Sequence, residues 1–187
     1  TQSALLEVME ESTVTVDGDR HETGRPFMVI ATQNPIEQAG TYRLPEAQLD
    51  RFLVKTTIGY PDRGALTRIL ADSATPDRSK SLNTVITAPA VAQMADLAAG
   101  NHVEDSVLDY IGALVEATRE SPDTRLGVST RGAIAMTRVA RVWAASRGRP
   151  YVLPDDIKEL AEVVWAHRLV MDPDAEFSGA TARGVIT

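Results

Sequence analysis

The sequence changes character near Pro61, and this change constrains the fold more than any other feature. Before Pro61, β-prone and helix-prone segments alternate, whereas the remainder of the chain has mostly helical periodicity. A helix is predicted from Pro61 to about Ala71, then a polar linker over 73–87, then four helical patterns over residues 89–99, 107–115, 136–143 and 157–165. We therefore predict an α/β unit over residues 1–60, a helical unit over 61–172 and a flexible tail over 173–187.

The α/β part has two segments that are typical of core strands. Residues 27–32 form a continuous apolar run, which suits a strand buried on both faces of a parallel sheet, and residues 53–58 form a second candidate. Helices are expected before residue 12 and over 45–50. The β-prone stretch of residues 13–16 precedes the strong turn pair Asp17-Gly18, which predicts a hairpin with its return strand within 20–24. Two core strands make an incomplete α/β sheet.

Composition excludes several classes of protein. A hydrophobic fraction of 43% with 24% charged residues is ordinary for a folded domain, and no apolar run could span a membrane. The formal charge of −7 disfavours non-specific binding of nucleic acid. The chain has no cysteine, which excludes disulfides and thiolate chemistry and fits a reducing, cytoplasmic compartment. Its three histidines are far apart and have no metal-ligand spacing, so no metal site is predicted.

Two candidate functional residues lie in the α/β part. Asn34 follows the apolar run 27–32, and the carboxyl ends of parallel strands are where open α/β sheets bind ligands. The alternative for Asn34 is a turn former before Pro35. Arg51 follows a short predicted helix, where nucleotide hydrolases present an arginine that stabilises charge on a transferring phosphoryl group. The alternative for Arg51 is a surface salt bridge with Asp50 or Glu46.

Further candidates lie in the helical part. Arg131 follows Ser129 and Thr130, either of which could cap a helix, and a helix start with a basic residue suits a phosphate. Residues 131–149 contain five arginines and no acid, which fits either a nucleic-acid patch or the basic flank of an amphipathic helix. Arg168 lies near the apolar face of its helix, where snorkelling or pairing with a carboxylate is expected.

Several catalytic motifs are absent from these 187 residues. None of the three lysines follows a glycine, and the chain has no P-loop, no dinucleotide-binding glycine motif and no apolar strand that ends in Asp-Glu. The residues present therefore do not build a complete active site by themselves.

Taken together, several segments resemble the MoxR family of AAA+ ATPases over residues 1–171. The segments that carry the resemblance are TQSALLEVMEE at the start, VTV at 14–16, IATQNPIEQ at 30–38, GTY at 40–42, LPEAQLDRF at 44–52, GYP at 59–61, LDYI at 108–111, STRG at 129–132 and HRL at 167–169. Arg43 stands where the family often has proline, and we assign it no role.

The resemblance implies an AAA+ α/β core, present here only in its later part, followed by a helical lid. It implies that Asn34 is the sensor 1 residue, which positions the attacking water, and that Arg51 is the arginine finger, which acts on a neighbouring subunit's ATP. Arg131 corresponds to sensor 2, which responds to the γ-phosphate. The hairpin within residues 14–24 corresponds to the pre-sensor-1 hairpin, which faces the pore of the ring.

The resemblance also implies a function for the parent protein. The family forms rings, usually hexamers, binds ATP with Mg²⁺, and acts as chaperone-like remodellers, often with partners that carry a von Willebrand factor A domain. The P-loop and the Mg²⁺-binding Asp-Glu strand are expected upstream of Thr1, and the chain, which begins with Thr1 rather than Met, is expected to be a fragment. We therefore predict that the isolated chain neither binds ATP tightly nor hydrolyses it.

Two other classes remain open from the sequence. A nucleic-acid motor related to the MCM helicases would use the hairpin and the basic helix, but the hairpin tip over residues 17–22 is mixed in charge. A non-enzymatic interaction module would be a lid-like helical domain without a P-loop. Membrane and nucleic-acid partners are not expected.

Overall fold

The structure is a computed structural model that describes residues 5, 8, 9, 11–33, 45–72 and 82–187. Asn34 and Arg43, two residues discussed above, lie outside these ranges. Leu5, Val8, Met9 and Glu11 are helical, which agrees with a helix before residue 12.

The predicted hairpin is confirmed. Strand β1 (Thr13–Val16) pairs antiparallel with β2 (Asp19–Glu22), with Val16 opposite Asp19 and Thr13 opposite Glu22. Asp17 and Gly18 between them both have positive φ, 53° and 91°, as a type I′ turn requires. The turn pair in the sequence therefore set both the position and the register of the hairpin.

The two predicted core strands are not strands in the structure, and this expectation is corrected. Residues 27–32 and 53–58 have no regular structure, and their apolar side chains are open to solvent, with Ile30 78% exposed and Ile58 99% exposed. A strand buried on both faces needs hydrogen-bonded neighbours and covering helices. The described ranges supply neither, because their two sheets are two-stranded and do not include these segments.

The helices predicted after residue 44 are all present, and those predicted over 107–115 and 136–143 extend several residues beyond these stretches. They are α1 (Glu46–Leu49), α2 (Arg63–Ala71), α3 (Ala88–Ala99), α4 (Asp105–Glu120), α5 (Thr130–Ser146) and α6 (Pro154–Trp165). Asp62, Thr87 and Ser129 cap α2, α3 and α5 by accepting a hydrogen bond from a backbone N–H. Among the helices described, none is long and apolar enough to cross a bilayer.

The core lies between α4, α5 and α6. The predicted stripe of α6 is fully buried, and α4 buries Val107, Ile111 and Val115. Helix α5 differs from prediction: Val142 is 53% exposed, and the buried face consists mainly of small residues, namely Gly132, Ala135, Met136, Ala140 and Ala144. Small residues let the backbones of α5 and α6 approach closely, which the apolar stripe alone did not reveal.

A polar cluster ties the ends of these helices together. Asn101 Nδ2 donates to the carbonyls of Arg141 and Arg149, each at 3.0 Å. The Arg149 guanidinium donates to both carboxylate oxygens of Asp156 at 2.9 and 2.5 Å, and the Leu153 N–H adds a third bond. Burial disfavours the charged carboxylate of Asp156, but these hydrogen bonds outweigh burial and hold its pKa below the usual range.

The end of the chain is more ordered than its composition predicts. After α6, a 3₁₀ turn (Ala166–Arg168) leads to β4 (Val170–Met171), which pairs antiparallel with β3 (Thr124–Leu126). Two short helices follow, α7 (Pro173–Phe177) and α8 (Ala182–Ile186). The expected flexible tail is therefore corrected, because Ala182, Val185 and Ile186 of α8 pack against the core.

Candidate functional site

The two arginines selected from the sequence lie beside the same buried contact between the segment that follows α1 and the helical unit. Arg51 is half-buried and follows α1 by two residues, whereas Arg131 is exposed and is the second residue of α5. Arg138, one heptad further along α5, is also exposed. Asn34 lies outside the described residues, so its placement beside these arginines stays a prediction.

Arg168 makes the contact between the two parts. Its side chain is 1% exposed, and its donors reach five acceptors. Nε donates to the Val164 carbonyl at 2.8 Å, Nη1 donates to the carbonyl and carboxylate of Asp50, and Nη2 donates to the Phe52 and Leu53 carbonyls at 2.7 and 3.3 Å. All five N–H groups of the guanidinium therefore have a partner, as a buried arginine requires.

Asp50 extends this contact to the start of α5. Its carboxylate oxygens lie 3.2 and 3.1 Å from Ser129 Oγ, which donates to them. The same Ser129 hydroxyl accepts from the Gly132 N–H at 3.1 Å and so caps α5. We call Asp50, Ser129 and Arg168 the joint: it connects the residue before Arg51 to the cap of the helix that carries Arg131.

Because Gly132 has no side chain, Val128 and Arg168 can pack closely against the start of α5. A Cβ at this position would lie 2.6 Å from Val128 Cγ1 and 3.1 Å from Arg168 Cδ. Its carbonyl also accepts from Trp165 Nε1 at 3.0 Å. The segment 129–132 thus supplies a cap, a candidate ligand-binding arginine and a position where only glycine allows close packing.

His167, the neighbour of Arg168, contacts the same segment. Its Nε2 lies 2.9 Å from the Phe52 carbonyl, so that nitrogen must carry the proton. Its Nδ1 is buried and has no hydrogen-bond partner among the described residues. Burial lowers the pKa of His167, and the nearby charges of Arg168 and Lys55 lower it further, against the opposing effect of the Phe52 carbonyl.

The side chains beside the joint are of a type that can bind phosphate. Guanidinium groups form strong, directional bonds to phosphate oxygens, and Arg51 and Arg131 are the candidates beside the joint. Across the described ranges, no group of three His, Asp or Glu side chains could hold a metal ion. Arg51 and Arg131 are therefore candidates for contact with phosphate groups, and the described residues offer no ligand cluster for Mg²⁺.

Sequence reasoning selected Arg51 and Arg131 as candidates but missed most of the joint. It expected Arg168 to snorkel or pair with a carboxylate, and the pairing with Asp50 confirms the second possibility. It treated Asp50 only as a possible partner of Arg51, whereas the carboxylate binds Arg168 and Ser129. A signal was present, since Asp50, Ser129 and Arg168 all lie within segments that carry the family resemblance.

Comparison with known proteins places this geometry in a class. The sequence model for the ATPase family associated with various cellular activities (AAA) matches residues 1–54, and that for the AAA lid domain matches residues 116–187. The crystal structure of a protein described as a candidate ATPase from Cytophaga hutchinsonii superposes with a TM-score of 0.89 at 36% identity. It is matched over 99% of this chain and 59% of its own. The fold is that of an AAA+ α/β core followed by a helical lid.

Sequence relatives identify the family of AAA+ proteins to which the chain belongs. The chain is 42% identical to the uncharacterised protein YeaC of Bacillus subtilis over all of its own length and 58% of YeaC. It is 38% identical to the chaperone MoxR1 of Mycobacterium tuberculosis, over 93% of this chain and 48% of MoxR1. Protein MoxR of Paracoccus denitrificans is 30% identical, over 92% of this chain and 56% of that protein. The chain belongs to the MoxR family of AAA+ ATPases, and it spans about half the length of these relatives.

Proposed function

We propose that this chain is part of a ring-forming ATPase that couples ATP binding and hydrolysis to chaperone-like remodelling or maturation of target proteins in the cytoplasm. The observation that carries the proposal is the joint, which fixes the loop of Arg51 against the start of the Arg131 helix. The name of one relative, chaperone MoxR1 of Mycobacterium tuberculosis, supports the remodelling role.

In this proposal the site is divided between subunits. Arg51 is the arginine finger and offsets the charge that develops on the neighbouring subunit's ATP, a contact worth about 10³–10⁵ in rate. Arg131 is sensor 2 and contacts the γ-phosphate of its own subunit's ATP, while Asn34 is sensor 1 and orients the attacking water. ATP and Mg²⁺ are bound mainly by a P-loop and an Asp-Glu strand, which the 187 residues do not contain.

The proposed organisation follows from these roles. Residues 1–60 are the later part of the core and residues 61–172 form the lid, with residues 173–187 added to it. Loss of the γ-phosphate releases Arg131, the lid moves, and the hairpin of β1 and β2 moves in the pore. The partners are neighbouring subunits of a homo-oligomeric ring and, for target selection, a protein with a von Willebrand factor A domain.

The test of the proposed function is Arg51→Ala in the full-length protein. We expect ATP affinity to stay near that of the wild type and turnover to be lost, because the finger acts in the transition state of the neighbouring site. Equilibrium nucleotide binding and steady-state phosphate release measure the two quantities. Arg138→Ala, an exposed arginine on α5, is the matched control and should keep both. Wild-type turnover in Arg51→Ala rings would refute the assignment of Arg51 as the arginine finger.

A further inference from the structure

We propose that Arg168 is a positioning residue for Arg51: its guanidinium fixes the backbone on both sides of the finger and holds it against the cap of α5. The inference rests on the proposed function, because it takes Arg51 as the finger. It adds a residue from the far end of the lid to the machinery for hydrolysis at the neighbouring subunit.

The distribution of the hydrogen bonds supports positioning over charge neutralisation. One carboxylate, that of Asp50, is enough to balance the charge of Arg168, and it accepts one bond at 2.6 Å. Three more bonds go to the backbone carbonyls of Asp50, Phe52 and Leu53, which lie on both sides of Arg51. A planar guanidinium that donates to three carbonyls of one short segment defines the conformation of that segment.

The reference point of this clamp is the start of α5. Asp50 accepts from Ser129 Oγ as well as from Arg168, so the loop and the helix cap share one carboxylate. The side chain of Asp50 is 21% exposed and that of Arg168 is 1% exposed, which protects the contact from competition by water. The joint therefore holds the loop that carries Arg51 against the start of the Arg131 helix.

A first experiment separates positioning from binding. Arg168→Lys in the full-length protein leaves one point charge with three donors where five fixed donors stood. We expect kcat to fall on the order of 100-fold, as small misplacements of a catalytic group do, with the Kd for ATP unchanged. The matched control is Arg149→Lys, which breaks a bidentate pair with Asp156 elsewhere in the lid. It should lower the melting temperature and leave kcat unchanged.

A second experiment uses mixed rings, which a purely structural role would not affect in the same way. Arg131→Ala subunits have a defective site of their own but an intact finger, whereas Arg168→Lys subunits have the reverse. Mixing the two should restore phosphate release above the mean of the two pure preparations. Arg131→Ala mixed with Arg51→Ala is the reference, because it tests the finger itself.

The outcomes are distinguishable. Restoration in both mixtures supports the inference. Restoration with Arg51→Ala but not with Arg168→Lys overturns it and leaves the proposed function standing, and failure of the Arg51→Ala mixture refutes the finger that both require. Wild-type kcat in Arg168→Lys, or an equal loss of ATP affinity and kcat, also overturns it. If Arg168→Lys rings do not assemble, Asp50→Asn replaces it in both experiments, with the same results expected and the same results overturning the inference.

Discussion

The folded protein favours the neutral form of the His167 imidazole. One ring nitrogen donates to the Phe52 carbonyl, and the other is buried without a partner among the described residues. A proton on that second nitrogen would be a buried N–H beside the charge of Arg168. The folded state therefore binds this proton less readily than the unfolded chain does.

The lowered pKa of His167 in the folded state predicts that the chain is less stable in acid. Because the folded-state pKa lies below the unfolded value of about 6.5, the free energy of unfolding should fall as pH drops below about 6.5. The fall is at most about 1.4 kcal/mol per pH unit and ends at the folded-state pKa. Denaturant unfolding of the chain between about pH 7.5 and 5.5 measures it.

His167→Gln is the control for this prediction. The glutamine amide can donate to the Phe52 carbonyl but does not titrate, so the variant should lose less stability over the same pH range. The comparison uses the slope with pH, not absolute stability, because the substitution also changes packing. Equal slopes in the two proteins would show that another group causes the acid sensitivity.

Single residues were predictable from sequence where a local pattern carries their role. The turn at Asp17-Gly18 and the helix cap, predicted at Ser129 or Thr130, depend on neighbours within three residues. The turn is confirmed, and Ser129 is the cap. Bonds of Arg168 and His167 to the loop after α1 join residues 115 to 118 positions apart, and no local pattern encodes such a partner.

Among the elements, α5 shows how a helix can be predicted while its contact face is not. Its bounds follow from the cap and the periodicity, but its buried face is made of glycine and alanine as well as Met136. Sequence patterns weight large apolar residues, so they place Val142 in the core, where the structure leaves it half exposed. Close approach to α6, not hydrophobicity, selects the residues on this face.

Gly132→Ala tests this close packing. The added methyl would lie 2.6 Å from Val128 Cγ1, so the variant should be destabilised by about 1–3 kcal/mol despite alanine's better helix propensity. Gly112→Ala is the control, because that glycine lies on the exposed side of α4 with nothing within 4 Å of the new methyl. It should stabilise the chain by about 0.5–1 kcal/mol. Denaturant unfolding compares the two, and a stabilised Gly132→Ala would contradict the close contact.

The two core-strand predictions were wrong for a different physical reason. A helix satisfies its own backbone, so the helices of the lid could be predicted one at a time. A core strand needs a neighbour, and residues 27–32 and 53–58 have none among the described residues. Their apolar composition was identified correctly, but their structure depends on hydrogen-bond partners that the segments themselves do not contain.

At the scale of the whole molecule, the closed core of the described residues lies in the helical half. The sixteen residues of the core cluster all lie between Val103 and Leu169. Many of the described apolar side chains before this region are open to solvent, among them Met28 at 77% and Tyr60 at 99% exposure, although Val8 is buried. The resemblance to known families supplied the class of fold, whereas composition and periodicity alone gave only an incomplete sheet followed by helices.

The prediction at the scale of the whole molecule concerns the binding and hydrolysis of ATP by the 187-residue chain. The 187-residue chain alone should neither bind ATP at micromolar concentrations nor release phosphate, because Arg51 and Arg131 can contact phosphates but no P-loop cradles them. Isothermal titration calorimetry with ATP and Mg²⁺ measures binding, and the full-length protein is the positive control. Micromolar binding by the chain alone would show that these arginines suffice and would contradict the division of the site.

The sequence separation within the joint has a kinetic consequence. Asp50 and Arg168 are 118 residues apart, whereas contacts among α4, α5 and α6 close much shorter loops and should form earlier in folding. The loop that carries Arg51 should therefore become fixed after α4, α5 and α6 have packed together. In the ring that we propose, a subunit with an unfinished lid would present no ordered Arg51 to its neighbour, so the completion of folding would act as a checkpoint on hydrolysis.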